Sequence, residues 1–334
     1  MKSNSEPVRW GIAGPGWVAS DFIAPAMTDS AGSRITACVG SSPGKARAFA
    51  GKFGVSRVHD SVEGLMNDPD VDAVYIALPN AMHHAAVLAG AKAGKHLLCE
   101  KPFALSAAHA REMVAACREA GVVLRIAHQI RTDAAVRRAH EIARSGALGR
   151  LASITLQRSS IITPRDTWRA DASQSGVIYD VCVHLLDLAQ WLTGQKIVEV
   201  SAFSHPDRRS NQPDDTVTIL GRTESDCHVI ARATREAPHA GNNLIIEGSQ
   251  GTLTTSPLRW MKEHVLSVRN ADGAQEERFP ASPAYALQVL AFEGELRGER
   301  SVLPDGEDSL HTVAVTQAAI QSILERRTVT VSSA

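Results

Sequence analysis

The sequence has no apolar run long enough to span a bilayer. Its first stretch, Met1 to Arg9, is polar and lacks the apolar centre of a secretory signal. It has no charge excess either: the formal net charge is -1, which argues against nucleic acid or a membrane surface as a partner. Repeats and low-complexity segments are absent. Cysteine is sparse and odd in number, with Cys38, Cys99, Cys117, Cys182 and Cys227 scattered along the chain. Most of them sit in apolar runs, so they read as buried thiols rather than bridges or metal ligands, which suits a reducing cytoplasm. What is present is a globular composition, 44% hydrophobic and 21% charged. At 334 residues the chain is too long for one ordinary core, and two domains are expected.

The order of elements supports that division. Apolar runs at Val8–Ala13, Arg34–Gly40, Ala73–Leu78, His96–Glu100 and Val122–Ala127 read as buried strands. Helical patterns lie between them, at 17–27, 43–53, 61–66, 81–93 and 106–120. Strands alternating with helices make a parallel, doubly wound α/β sheet. After a basic amphipathic helix at 132–145 the rhythm changes. A strand at 151–158, a polar loop at 159–175 and a long helix at 176–192 lead into strands at 197–203, 216–221, 228–234, 243–247, 252–255 and 265–269. Strands in succession without helices predict a largely antiparallel sheet in an α+β domain. Two helices, 283–297 and 307–325, close the chain. The expected boundary falls at 127/128, giving domains 1–127 and 128–334.

Three patterns carry chemistry. Gly14-Pro15-Gly16-Trp17-Val18-Ala19 is a G-x-G-x-x-A between the first strand and the first helix. Glycines there permit a tight turn and close approach of a pyrophosphate to the helix N-terminus, so these residues are expected to bind a dinucleotide. The second strand ends at Val39-Gly40 without the Asp or Glu that would bind a ribose 2′-hydroxyl. Ser41, Ser42 and Lys45 stand there instead, which favours NADP, with NAD still possible. Leu78, Pro79, Asn80 and His83 follow the third long strand and are expected beside the cofactor, with a helix cap as the other role for His83. The third pattern is Asp180-x-x-x-His184, two residues on one face of a helix that is apolar elsewhere. A histidine beside a carboxylate in such a place suits proton transfer.

The charged end of a buried strand, Glu100-Lys101-Pro102, completes the set, because ligands in open α/β sheets bind beyond the carboxyl ends of the strands. With Ala93–Pro102, Asp70–Ile76, Gly176–His184 and Glu247–Leu253, it resembles the glucose–fructose oxidoreductase / inositol dehydrogenase (Gfo/Idh/MocA) family. Within it, Asp68–Lys101 and Trp168-Arg169 look most like the 1,5-anhydro-D-fructose reductases. The resemblance implies an N-terminal Rossmann domain and a C-terminal domain whose open-faced sheet packs on another subunit, as a homodimer or homotetramer. It implies hydride transfer between a nicotinamide and a sugar-like ketone or alcohol, without a metal. Lys101 matches the residue that polarises the reacting oxygen, His184 the proton-transferring histidine and Asp180 its partner. Lys101-Pro102 matches a peptide that is often cis. Cys182 and Ser175 stand where the family commonly has glycine, and His128-Gln129-Ile130-Arg131 replaces a commoner Asn-Arg. Gln129, Trp168 and Arg169 are further cofactor candidates, Arg131 and Trp168 further substrate candidates, and Arg165 a possible hydroxyl or phosphate contact. An NAD-dependent inositol or polyol dehydrogenase and a non-catalytic cofactor-binding regulator are the alternatives.

Overall fold

The computed structural model describes residues 6–160, 167–237, 241–256 and 262–332. The chain forms two compact units, Met1–Thr132 with Ala284–Leu310, and Asp133–Pro283 with His311–Ala334.

The first unit is built on a parallel sheet. β1 (Val8–Ala13) leads through a π-helical turn, Ala19–Ile23, into α1 (Ala24–Thr28). β2 (Ser33–Val39), α2 (Pro43–Phe53), β3 (Arg57–His59), α3 (Val62–Met66) and β4 (Ala73–Ile76) follow. Then come α4 (His83–Lys92), β5 (His96–Cys99), α5 (Ala107–Glu119) and β6 (Leu124–Ile126). The strand order is β3-β2-β1-β4-β5-β6, so the direction of winding reverses between β1 and β4. That reversal opens a crevice at the carboxyl ends of the strands. The central strands are apolar throughout because helices cover both faces: Ile12, Val74, Tyr75, Leu97 and Leu98 have no exposure. Serine hydroxyls start three of the helices, Ser42, Ser61 and Ser106 accepting the N–H of Lys45, Gly64 and His109.

The expected boundary at 127/128 leaves everything later in the second unit. The structure instead brings 284–310 back to the first. Trp10 Nε1 donates to Glu293 Oε1 at 2.9 Å, and the Ser33 hydroxyl donates to the same oxygen. Arg125 pairs with Glu295, and Ile126 N–H donates to the Pro304 carbonyl at 3.1 Å. A helix pattern at the end of a chain does not reveal a partner strand some 280 residues earlier, so periodicity could not place it.

The second unit opens with α6 (Ala134–Arg144), capped by Asp133, and β7 (Leu151–Ser159). A π-helical turn, Ile178–Cys182, runs into α7 (Val183–Thr193), which Gly194 ends in a left-handed conformation. The expected single uniform helix is therefore two kinds of helix in series. β8 (Ile197–His205), β9 (Thr216–Thr223), β10 (His228–Thr234), β11 (Asn243–Gly248), β12 (Gly251–Ser256), β13 (His264–Asn270) and β14 (Gly273–Phe279) follow, with β15 (Val329–Thr330) at the end. They form one nine-stranded sheet, β14-β13-β12-β11-β7-β10-β9-β8-β15. Every neighbouring pair is antiparallel except β7 with β10. On one face Ala202, Ile219 and Ala231 are buried, and α7 packs on β7 and β10. On the other face Phe203, Leu220 and Ile230 are exposed. β14 had no apolar alternation to reveal it: GAQEERF is a charged edge strand.

Candidate active site

The turn after β1 has the shape a dinucleotide requires. Gly14 has φ +89°, and a Cβ there would lie 2.5 Å from the Ala77 carbonyl oxygen at the end of β4. Only glycine lets the two strand ends come this close. At Gly16 a Cβ would meet nothing within 4 Å, so the protein leaves room over that residue. Ala19, at the third position, is fully buried, which lets the helix pack closely on the sheet. Pro15 and Val18 are half-buried, and Trp17 stands exposed on the turn. Ser41, Ser42 and Lys45 are exposed beyond β2, the Ser42 oxygen also capping α2. Leu78, Pro79 and Asn80 follow β4, the strand beside β1, and Asn80 is buried. These features fit a nicotinamide dinucleotide.

Lys101 follows β5, the next strand over, and is held from both sides. Its backbone N–H donates to Glu100 Oε2 at 3.1 Å, and Glu100 Oε1 accepts the Tyr75 hydroxyl at 2.5 Å. Burial, with the Glu100 carboxylate adding to it, raises the Tyr75 hydroxyl well above its ordinary pKa, so it stays a donor. Lys101-Pro102 is a cis peptide. The Pro102 carbonyl lies 2.9 Å from His83 Nδ1, and the Leu78 carbonyl 3.0 Å from His83 Nε2. Fully buried, His83 thus ties the turns after β4 and β5 together. Burial lowers its pKa, the two carbonyls oppose that shift, and the Lys101 charge adds to it. Glu100 and His83 therefore anchor Lys101. Tyr75 escaped the sequence reading; a single polar tip in an apolar buried strand was its only signal. His84 pairs instead with Glu112 on α5, at 2.7 Å. Gln129 and Arg131 lie just past β6 and are buried. Gln129 Oε1 has no hydrogen-bond partner among the described residues, and Arg131 reaches Asp308 at 3.4 Å.

The second unit carries the other candidates. Asp180 is half-buried in the π-helical turn, and His184 is nearly buried at the start of α7. The wider π turn changes the angular step per residue, so the α-helical i, i+4 face does not apply unchanged across it. Asp187 is buried on the same helix. The Arg169 guanidinium stacks on the Trp168 ring, 4.4 Å from its centre, so that face of the indole already has a cation on it. Arg165 lies outside the described residues. Two residues the sequence reading passed over, Arg208 and Asp214, are buried against the start of the Asp180 helix.

Residues 8–128 match the family described as "Oxidoreductase family, NAD-binding Rossmann fold", and residues 136–254 match the "GFO/IDH/MocA C-terminal domain". The chain belongs to the Gfo/Idh/MocA family. It is an oxidoreductase with an NAD(P)-binding Rossmann fold. Among the relatives of this Gfo/Idh/MocA chain is a 1,5-anhydro-D-fructose reductase of Ensifer adhaerens, 30% identical over 94% of this chain and 96% of that one. An inositol 2-dehydrogenase of Rhizobium meliloti is 27% identical over 97% and 99%. A solved aldose–aldose oxidoreductase of Caulobacter crescentus superposes with a TM-score of 0.87 at 25% identity, over 97% of this chain and 100% of that one. Among the described residues no group of three or more His, Cys, Asp or Glu is placed to hold a metal ion, and no helix is long and apolar enough to cross a membrane. All five cysteines are buried and free. Burial pushes the Cys38 thiol up to about 11 and Cys117 up to about 12, which keeps both protonated and unreactive.

Proposed function

We propose that the protein moves a hydride between NADP(H) and a sugar-like ketone or alcohol, with Lys101 polarising the reacting oxygen and His184 carrying the proton. The observation that carries this reading is the mounting of Lys101. A half-buried lysine stands at the carboxyl end of the parallel sheet, its own N–H held by Glu100 and the next carbonyl held by His83, on the strand next but one to the glycine turn. A surface ion pair at a strand end has no need of two buried anchors.

A bound nicotinamide supplies or accepts the hydride. In the reducing direction negative charge develops on the substrate oxygen, and the Lys101 ammonium offsets it. His184 gives the proton, and Asp180 orients the imidazole much as the acid of a catalytic triad does. Trp168, Arg169, Gln129 and Arg131 are the further candidates for contact with cofactor or substrate. The absence of an acidic residue after β2, with Ser41, Ser42 and Lys45 exposed there, supports NADP over NAD, because a carboxylate would repel a 2′-phosphate. The similarity to a 1,5-anhydro-D-fructose reductase supports a ketose-like substrate. The second reading, an NAD-dependent inositol or polyol dehydrogenase, draws on the inositol 2-dehydrogenase relative. We also propose a cytoplasmic enzyme, which the unbridged cysteines support, assembled as a homodimer or homotetramer through the second sheet.

Titration with NADPH against NADH, followed by fluorescence or thermal shift, tests the cofactor, and a clear NADH preference moves the reading to the second. Turnover at 340 nm over sugars, anhydro-sugars, inositols and dihydrodiols identifies the substrate. Lys101→Ala and His184→Ala are each expected to lower kcat by about 10²–10⁴-fold while NADPH still binds. Parent-like turnover in either variant removes that residue from the mechanism.

A further inference from the structure

We propose that the buried pair Arg208–Asp214 is a positioning device that sets the helix carrying Asp180 and His184 and the turn carrying Trp168 in one fixed relation. The inference rests on the functional reading above and adds two residues to it.

Asp214 has no exposure and lies just before β9. Its Oδ1 accepts the N–H of Ile178 at 2.8 Å, and its backbone carbonyl accepts that of Val177 at 3.0 Å. It therefore caps the first turn of the Asp180 helix from a different part of the chain, where the residue preceding that turn offers no side-chain cap. Gly176 makes room for it: with φ +114°, a Cβ at that position would lie 2.7 Å from Asp214 Oδ2. Arg208 closes the arrangement. One guanidinium nitrogen binds Asp214 Oδ2 and the Ser175 carbonyl, the latter at 3.2 Å, and the other binds the Ala172 carbonyl. The Ser175 hydroxyl in turn donates to the Arg169 carbonyl at 2.6 Å. The guanidinium also sits 5.3 Å from the centre of the Tyr179 ring, next to Asp180. One buried cation thus joins the loop after Trp168-Arg169 to the cap of the helix.

The attraction between the two charges is not what core stability calls for, because apolar residues of the same volume serve a core as well or better. The pair's structural work is its bonds to the backbone at Ala172, Ser175 and Ile178. What the pair has over apolar residues is direction. A planar fork of donors fixes three acceptors at set angles, which methylene groups cannot do. Direction matters at this point because the helix begins with a π turn, so the bearing of Asp180 and His184 depends on how its first residues are held.

The test replaces the pair by apolar groups, Arg208→Met with Asp214→Leu. The double variant removes the partners of the Ile178 N–H and of the Ala172 and Ser175 carbonyls, so its Tm is expected to fall. At temperatures where it stays folded it is expected to keep its NADPH affinity and to lose kcat by about 10²-fold, the scale of a catalytic group moved by about an ångström. Parent-like kcat in the folded double variant overturns the inference. Should it fail to fold, Arg208→Lys keeps the charge and the bond to Asp214 but not the fork onto Ala172 and Ser175. Its substrate KM is then expected to rise by about tenfold with kcat within about twofold, and an unchanged KM overturns the inference. His184→Ala, run alongside, separates the two claims. Full turnover there sinks the functional reading, whereas loss of turnover there beside a parent-like double variant sinks only the positioning role.

Discussion

Gly14 and Gly16 are two residues apart and have different reasons to be glycine. Gly14 serves the protein itself: its backbone is left-handed and a Cβ would strike the Ala77 carbonyl. Gly14→Ala is expected to cost at least about 1–2 kcal/mol from the backbone conformation alone, so its Tm falls and NADPH binding falls with it. Gly16 is expected to serve the ligand. Nothing lies within 4 Å of a Cβ there, so Gly16→Val is expected to leave the Tm unchanged. The added methyl groups would stand where a pyrophosphate must approach, and the NADPH Kd is expected to rise by more than about tenfold, equivalent to about 1.4 kcal/mol. Thermal melts of both apo variants beside NADPH titrations check this; unchanged affinity in Gly16→Val would place the pyrophosphate elsewhere. The contrast also marks what a sequence discloses at this scale. Gly-x-Gly, Lys101 and His184 stand out in the sequence as candidates because their residue types are unusual in their setting. Tyr75, Arg208 and Asp214 do not: Tyr75 meets Glu100 25 residues on, and Arg208 and Asp214, although close in sequence to each other, meet the backbone of Ala172 and Ile178 36 residues earlier, where only the fold brings them.

Among elements, most strands and helices of the parallel sheet were readable to within about two residues, since buried apolar runs and serine caps are local signals. However, β3, three half-buried residues with no apolar run, was missed. So were β14 and the π turn at Ile178, the first because it is polar and the second because it rests on the cap supplied by Asp214. The helix 284–296 is the clearest case, legible as a helix and illegible in its attachment. It docks through Glu293, which has no exposure and accepts from Trp10 and Ser33. Burial raises the Glu293 carboxyl above its ordinary pKa, with the Ser33 and Trp10 bonds and the Arg297 charge pulling the other way. An acid whose folded pKa is raised binds its proton more tightly when folded. Its ionisation therefore costs stability as pH rises from the unfolded value toward the folded one, and every tenfold gain in proton affinity on folding corresponds to about 1.4 kcal/mol. Glu293→Gln keeps an acceptor for Trp10 and Ser33 and removes the charge. It is expected to match the parent near pH 4 and to exceed its Tm at pH 7, whereas Glu293→Ala leaves the Trp10 N–H unpaired and loses about 1–3 kcal/mol at both. Melting curves across that range decide it; a Gln variant that falls below the parent at pH 7 would mean the carboxylate is stabilising after all.

The whole molecule poses a question that neither residue nor element answers: what covers the second face of the nine-stranded sheet. The strand register places Ser201, Leu220 and Ile230 side by side across β8, β9 and β10, with Phe203 on the same face one step along. Phe203 is 71% exposed, Leu220 49% and Ile230 37%, while the residues between them, Ala202, Ile219 and Ala231, are buried on the other side. Three large exposed apolar side chains clustered on one face of a sheet, with half-buried Ile245 further along the Ile230 row, make a patch rather than scattered exposure. A second copy of the same face is the simplest complement, because a two-fold interface is self-complementary and uses each residue twice. The doubling sets the size of the effect. Burying a large apolar side chain is worth about 1.5–3 kcal/mol, so replacing Phe203 and Leu220 by threonine removes that amount four times over from a two-fold interface. Threonine keeps the strand propensity of both positions, and the exposed sites tolerate it within the folded subunit. Light scattering behind a sizing column is expected to give a dimer or tetramer for the parent and a monomer for Phe203→Thr/Leu220→Thr, with the fold of the separated subunit intact by circular dichroism. A parent that runs as a monomer, or a double variant that stays assembled, would take the interface away from this face.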